Sequence, residues 1–133
     1  MKKVMAFGTF DKVHPGHVDY LEQAKACGDI LIVCVARDTN VFALKGAMPD
    51  HSEEERRSMV EQLKIADKVM IGDNTDLFRC IREEKPDIIC LGYDQKVPFD
   101  LEYELVAHKM STKILRAKPY KEDIYKSSLI AKR

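Results

Sequence analysis

The sequence predicts an α/β fold, a three-layer sandwich around a five-stranded, mainly parallel sheet. Three observations predict it. Short apolar runs alternate with stretches of helical spacing along the whole chain. The run Ile30-Leu31-Ile32-Val33-Cys34-Val35 is apolar on both faces, as in a parallel strand covered by helices on either side. Breakers fall between the runs: Gly28-Asp29, Lys45-Gly46, Pro49, Gly72-Asp73-Asn74 and Pro86. Strands alternating with helices in one domain build a parallel sheet with both faces covered.

Taken in order, Val4-Met5-Ala6-Phe7 predicts the first strand and Val18 to Cys27 the first helix. Ile30 to Val35 is the second strand. Residues 37 to 51 read as irregular. Ser52-Glu53-Glu54-Glu55 is a capping box, which starts a helix running to about Ile65. Lys68-Val69-Met70-Ile71 predicts the third strand, and Asp76 to Glu84 a helix stopped before Pro86. Asp87-Ile88-Ile89-Cys90-Leu91 is the fourth strand. Phe99 to Lys109 is helical, Lys113-Ile114-Leu115 a short fifth strand, and Ser127 to Arg133 a last helical turn or two.

The chain has 133 residues, which suits a single domain, 1–133. Lysine plus arginine and aspartate plus glutamate both number 22, so the net charge is near zero. That argues against a nucleic-acid partner held by general phosphate attraction. No apolar run approaches about 20 residues, so no membrane span is expected. The apolar part of Met1-Lys2-Lys3-Val4 is too short to predict a signal peptide. Cys27, Cys34, Cys80 and Cys90 form no CxxC pair, and two of them lie inside apolar runs. They read as reduced core thiols of a cytoplasmic protein.

In parallel sheets, ligands sit beyond the carboxyl ends of the strands near a switch point. Three loops fall there: Gly8 to His17, Ala36 to Asp38 and Gly92-Tyr93-Asp94-Gln95. The first opens a helix, whose unpaired N–H groups attract anions. Gly8 and Gly16 let backbone approach a ligand closely. Pro15 suits an early helical position. His14 and His17, three residues apart, can face the same side. Phosphate binding, a metal site and a capping role all fit this histidine pair. The loop is neither GxxxxGK[ST] nor GxGxxG, so kinase and dinucleotide-oxidoreductase readings lose their main support.

Gly8-Thr9-Phe10-Asp11 with His14-Pro15-Gly16-His17 resembles the GTFD…HxGH signature of the small cytidylyltransferase-like nucleotidyltransferases. The resemblance continues in Glu55-Arg56, in Ala66-Asp67-Lys68-Val69, in Gly92-Tyr93-Asp94 and in Lys126-Ser127-Ser128-Leu129-Ile130. It implies a Rossmann-like domain that moves a nucleoside monophosphate from an NTP to a phosphate acceptor and releases pyrophosphate. Two branches are close, the glycerol-3-phosphate cytidylyltransferases and the archaeal-type FAD synthetases. The stretches Val35-Ala36-Arg37-Asp38, Leu44-Lys45-Gly46 and Leu91-Gly92-Tyr93-Asp94-Gln95 look more like the second. The cytidylyltransferase pattern has GDDW where this chain has Gly-Tyr-Asp-Gln, and no Arg-Thr pair precedes Ser127. The heptose-phosphate nucleotidyltransferases of lipopolysaccharide core synthesis share the histidine motif, and nothing in the sequence selects a heptose.

The resemblance implies ATP, in preference to CTP, and FMN as substrates, a divalent cation such as magnesium, and a homodimer. His14, His17 and Lys45 are the implied catalytic groups. Thr9, Phe10, Pro15, Gly16, Asp94, Tyr125, Ser127 and Ser128 join the histidines in the implied nucleotide site. Asp11, Asp38, Arg56 and Lys64 are further candidates for phosphate or acceptor contact. Asp11 could equally orient a loop amide, and Arg56 could pair with acidic neighbours on its helix. A nucleotide-binding module without catalysis is the alternative of a different class.

Overall fold

The computed structural model describes residues 1–73, 76, 78–97 and 100–120. Its elements are β1 (Lys3–Gly8), α1 (Pro15–Ala26), β2 (Ile30–Val35), α2 (Asp38–Lys45), α3 (Glu53–Gln62), β3 (Lys68–Ile71), α4 (Arg79–Glu84), β4 (Ile88–Leu91), α5 (Leu101–Ala107) and β5 (Lys113–Arg116). The five strands form one sheet in the order β3-β2-β1-β4-β5. Every pairing is parallel, so the mainly parallel sheet expected from the sequence is parallel throughout.

Alternation along the strands divides the core into two layers. Val4, Ala6, Leu31, Val33 and Val35 pack with Leu21 and Ala24 of α1 and Val60 of α3. Met5, Ile32, Cys34, Ile89 and Leu91 pack on the other face with Cys80 and Ile81 of α4 and Leu101 and Leu105 of α5. This is the period-2 pattern of a strand buried on both faces.

The amino edge of the sheet is closed by carboxylates. Asp29 accepts from the Lys2 N–H, Asp87 from the Lys3 N–H, and Asp67 from the Leu31 N–H and the Lys25 ammonium. The ammonium of Lys25, then the Leu31 N–H, hold the Asp67 carboxyl below its ordinary range. Those contacts leave the carboxyl edge as the place for chemistry.

One expectation is corrected: residues 37 to 51 are not all irregular, because 38–45 form α2. Among its described side chains, Val41 is the one deeply buried. Its stop is conventional, with Gly46 left-handed at φ 77° after Lys45. The capping box at Ser52 is present, with Ser52 Oγ accepting from the Glu55 N–H and the Glu55 carboxylate accepting from the Ser52 N–H.

Candidate active site

The sheet opens between β1 and β4, where the direction of strand succession reverses. β1 stays paired with β2 as far as Gly8 and Val35, but with β4 only to Ala6 and Cys90. Two side chains bridge the opening. The Tyr20 hydroxyl accepts from the Phe7 N–H at 3.2 Å and donates to the Cys90 carbonyl at 2.5 Å. Burial pushes its pKa well above the usual tyrosine range, so it remains a neutral donor. Gln95 donates from Nε2 to the Phe7 carbonyl and accepts the Gly92 N–H on Oε1. Arg116 of β5 ties the same turn from the other side, donating to the Gly92 and Gln95 carbonyls.

The histidine motif starts α1 at the mouth of this opening. His14 is the N-cap and Pro15 the first helical residue. His14 Nδ1 accepts the Gly16 N–H at 3.0 Å, and His17 Nδ1 accepts the His14 N–H at 3.3 Å. Each neutral ring therefore carries its proton on Nε2. The rings stack with centroids 3.9 Å apart. Capping and ligand binding thus do not compete: Nδ1 caps, and Nε2–H is left to donate. Gly16 is required because a Cβ there would lie 2.8 Å from His14 Cε1. Burial, then the charges of His14 and Lys45, lower the His17 pKa to about 4, against a smaller upward pull from the Lys12 carbonyl. His17 is a neutral donor at physiological pH.

Phe10 lines the cavity that His14 and His17 also line. Its backbone is left-handed at φ 54°, and its ring is buried beneath the loop. The ring lies edge-on to His17 and covers Gly8, where a Cβ would meet it at 2.7 Å. Its side chain supports the loop from below.

Arg56 is fully buried. It donates from Nε to the His51 carbonyl, from Nη1 to the Thr9 carbonyl, and from Nη2 to Asp38 at 2.6 Å. Neither Arg56 nor Asp38 presents its charge to a phosphate in this arrangement, and Arg56 does not pair with its neighbours along α3. The pair instead fixes the Thr9 carbonyl beside the histidine loop. Asp11 accepts the N–H groups of Asp50 and His51. Burial pushes its pKa up, but those two bonds, with the charges of His51 and Arg56, hold it below the ordinary value. Asp11 therefore orients loop amides. Lys64 is corrected outright: α3 runs from the carboxyl edge to the amino edge of the sheet, and Lys64 lies past its far end. The ten residues of α3 rise about 15 Å, and Lys64 lies beyond its C-cap, Leu63.

Two cavities meet over the carboxyl end of β1. One, of about 480 Å³, is lined by His14, Gly16, His17, Tyr20, Tyr93 and Asp94, and reaches Lys118 and Tyr120. The other, of about 390 Å³, lies on the α4 and α5 face. Phe7, Gly8, Thr9, Lys45 and Gln95 line both. Lys45 is the last residue of α2, not a loop residue. The second cavity and the bridging roles of Tyr20 and Gln95 were missed in the sequence. The only signal was the Gln in the turn after β4.

Tyr125, Ser127 and Ser128 lie outside the described residues. Among the described residues no group of three His, Cys, Asp or Glu side chains could hold a metal ion. Asp11 and Asp38 are engaged in the contacts given above. No helix of the described residues is long and apolar enough to cross a membrane.

The cytidylyltransferase-like family model matches residues 5–133. A FAD synthase of Ferroglobus placidus is 49% identical over 127 residues, covering 92% of this chain and 80% of that one. A FAD synthase of Picrophilus torridus is 40% identical over 132 residues, covering 98% and 94%. Among solved structures, the lipopolysaccharide core biosynthesis protein from Thermoplasma volcanium superposes with a TM-score of 0.83 at 40% identity, covering 90% of this chain and 98% of that one. A pantoate-beta-alanine ligase from Francisella tularensis, with a TM-score of 0.60 at 13% identity over 87% of this chain and 58% of its own, shares the fold alone.

Proposed function

We propose an adenylyl transfer for this chain, which belongs to the cytidylyltransferase-like family: ATP and FMN are converted to FAD and pyrophosphate. The observation that carries the reading is one cavity lined by the stacked histidines and joined, at Lys45, to a second. A triphosphate in the larger cavity brings its α-phosphorus to the start of α1. An acceptor phosphate arrives over β1 from the other side. The relatives named FAD synthase, at 40 to 49% identity over nearly the whole chain, support FMN and ATP as the pair.

The acceptor phosphate is already an anion near pH 7, so its attack needs no general base. Its oxygen bonds to the α-phosphorus as the bond to the bridging oxygen of pyrophosphate breaks. Charge builds on the α-phosphoryl oxygens. The Nε2–H groups of His14 and His17, the N-terminus of α1 and the Lys45 ammonium meet that charge. The rest is positioning. Asp94 and Tyr93 line the larger cavity too, and the reading puts the base beside them. Tyr125, Ser127 and Ser128 remain part of the proposed nucleotide site by resemblance alone. Four free cysteines fit a reducing, cytoplasmic location. A homodimer belongs to the same reading and is checked on a sizing column.

The test is incubation with ATP or CTP, magnesium and a panel of acceptors: FMN, glycerol-3-phosphate and a heptose phosphate. FAD and pyrophosphate from ATP are the expected products. CDP-glycerol or a nucleotidylated heptose in their place overturns the assignment.

A further inference from the structure

We propose that Gln95 is a positioning residue for the transfer: its carboxamide is a wedge that holds the carboxyl ends of β1 and β4 apart and keeps the site open. This rests on the transfer reading above and names what sets the distance across its site. The other three strand pairs each end on a backbone bond. Gly8 stands opposite Val35, and the next N–H, of Ala36, donates to the Gly8 carbonyl. Val35 stands opposite Ile71, and the Gly72 N–H donates to the Val35 carbonyl. Leu91 stands opposite Arg116, and the Ala117 N–H donates to the Leu91 carbonyl. One step beyond Ala6 and Cys90, the same register sets Leu91 opposite Phe7. The counterpart bond would run from the Gly92 N–H to the Phe7 carbonyl. Gln95 takes both groups instead: Oε1 accepts from Gly92 at 2.9 Å, and Nε2 donates to Phe7 at 3.1 Å.

The carboxamide satisfies the same two backbone groups that one more ladder bond would join, and adds its own width between the strands. The chemistry asks for an amide: one end must donate to a carbonyl while the other accepts from an N–H, which neither an ionised carboxylate nor an apolar chain can do. Its base is fixed as well. The Gln95 N–H donates to the Gly92 carbonyl, and Arg116 donates to the carbonyls of both residues. The consequence falls on the site. Phe7, Gly8, Thr9 and Gln95 line both cavities, so the cavities meet at the wedge. On one side the end of β1 leads through Gly8 into the histidine loop. On the other the turn carries Tyr93 and Asp94, which line the histidine cavity. Closing the ladder by one bond would draw these walls together and shift the histidine donors against the reacting phosphates. A misplacement of about 1 Å is enough to cost about 10² in rate.

The experiment uses Gln95→Met and Gln95→Leu, which keep bulk at this position but offer no amide. For each, kcat and the KM values with ATP and FMN, a melting temperature and a crystal structure are obtained. Expected is a direct bond from the Gly92 N–H to the Phe7 carbonyl. The melting temperature stays near that of the unsubstituted chain, because this bond replaces the two that are lost. The kcat falls about 10²-fold, by more than either KM changes. A merely structural cap would give the reverse, a lower melting temperature with kcat kept, and that result overturns the proposal. Loss of the fold in both variants overturns it too, since Gln95 would then hold the sheet together and not apart. So does a fall in kcat with the strands still apart, or closed strands with kcat unchanged. If the unsubstituted chain makes no FAD, the transfer reading falls and the positioning role with it, while the Gly92–Phe7 bond in the variants still decides the wedge.

Discussion

His14 and His17 hold each other's positions: the His17 ring accepts the His14 backbone N–H, and the two rings stack 3.9 Å apart. His14 in turn accepts from Gly16, so both imidazoles are fixed in the tautomer with a proton on Nε2. The reciprocal cap is thus the device that aims two donors at one place.

His14→Asn separates the cap from the donor. Asparagine is a good N-cap and retains an acceptor for the Gly16 N–H. It does not place an N–H where Nε2 stands. The expected result is a fall in kcat of about 10²–10³ with little change in melting temperature. Steady-state kinetics and a thermal melt on the same preparation check it.

Gly16→Ala tests the aim of the ring rather than its chemistry. The new Cβ would lie 2.8 Å from His14 Cε1, so the ring must move. Alanine favours the helix itself. We expect a kcat loss on the order of 10², the scale of an ångström-sized misplacement, without loss of helix content. Circular dichroism and turnover measured together decide it.

The pH behaviour follows from His17. Its folded pKa, about 4, lies below the ordinary imidazole value of 6.5. The unfolded chain therefore binds more protons between those two values. This group's contribution to stability is intact above pH 6.5 and is lost as pH falls toward about 4. Urea melts across that window should show the decline, and His17→Gln should reduce it. His17 itself should not make turnover drop as pH rises through 6.5, because it is already a neutral donor there.

Arg56→Ala leaves Asp38 and the Thr9 carbonyl without their shared partner. Breaking a buried ion pair from one side typically costs about 3–5 kcal/mol. Asp38 is partly exposed, so the lower end of that range is expected. Equilibrium urea unfolding measures it.

The strands and the first loop were legible because their signals are local. Val4 to Phe7, the breakers and the histidine spacing lie within a few residues of one another. The parallel sheet followed from alternation alone. The helix α2 was not legible, because among its described side chains only Val41 is deeply buried. Arg56 was misread for a different reason: its partners Thr9 and Asp38 lie 47 and 18 residues away. Nothing near Arg56 in sequence distinguishes a buried fork from a surface cation. Lys64 was placed by motif position, whereas the direction of α3 carries it to the far edge of the sheet. The cavity on the α4 and α5 face draws on residues from Phe7 to Leu101, and only the fold gathers them.

The most direct test of the account is the fate of a label at the α-phosphorus of ATP. The chain is incubated with that ATP, magnesium and FMN, and the products are separated. The account predicts the label in FAD and unlabelled pyrophosphate, with both products nearly lost in His17→Asn. FAD without the label, or labelled AMP released with no transfer to FMN, would contradict it.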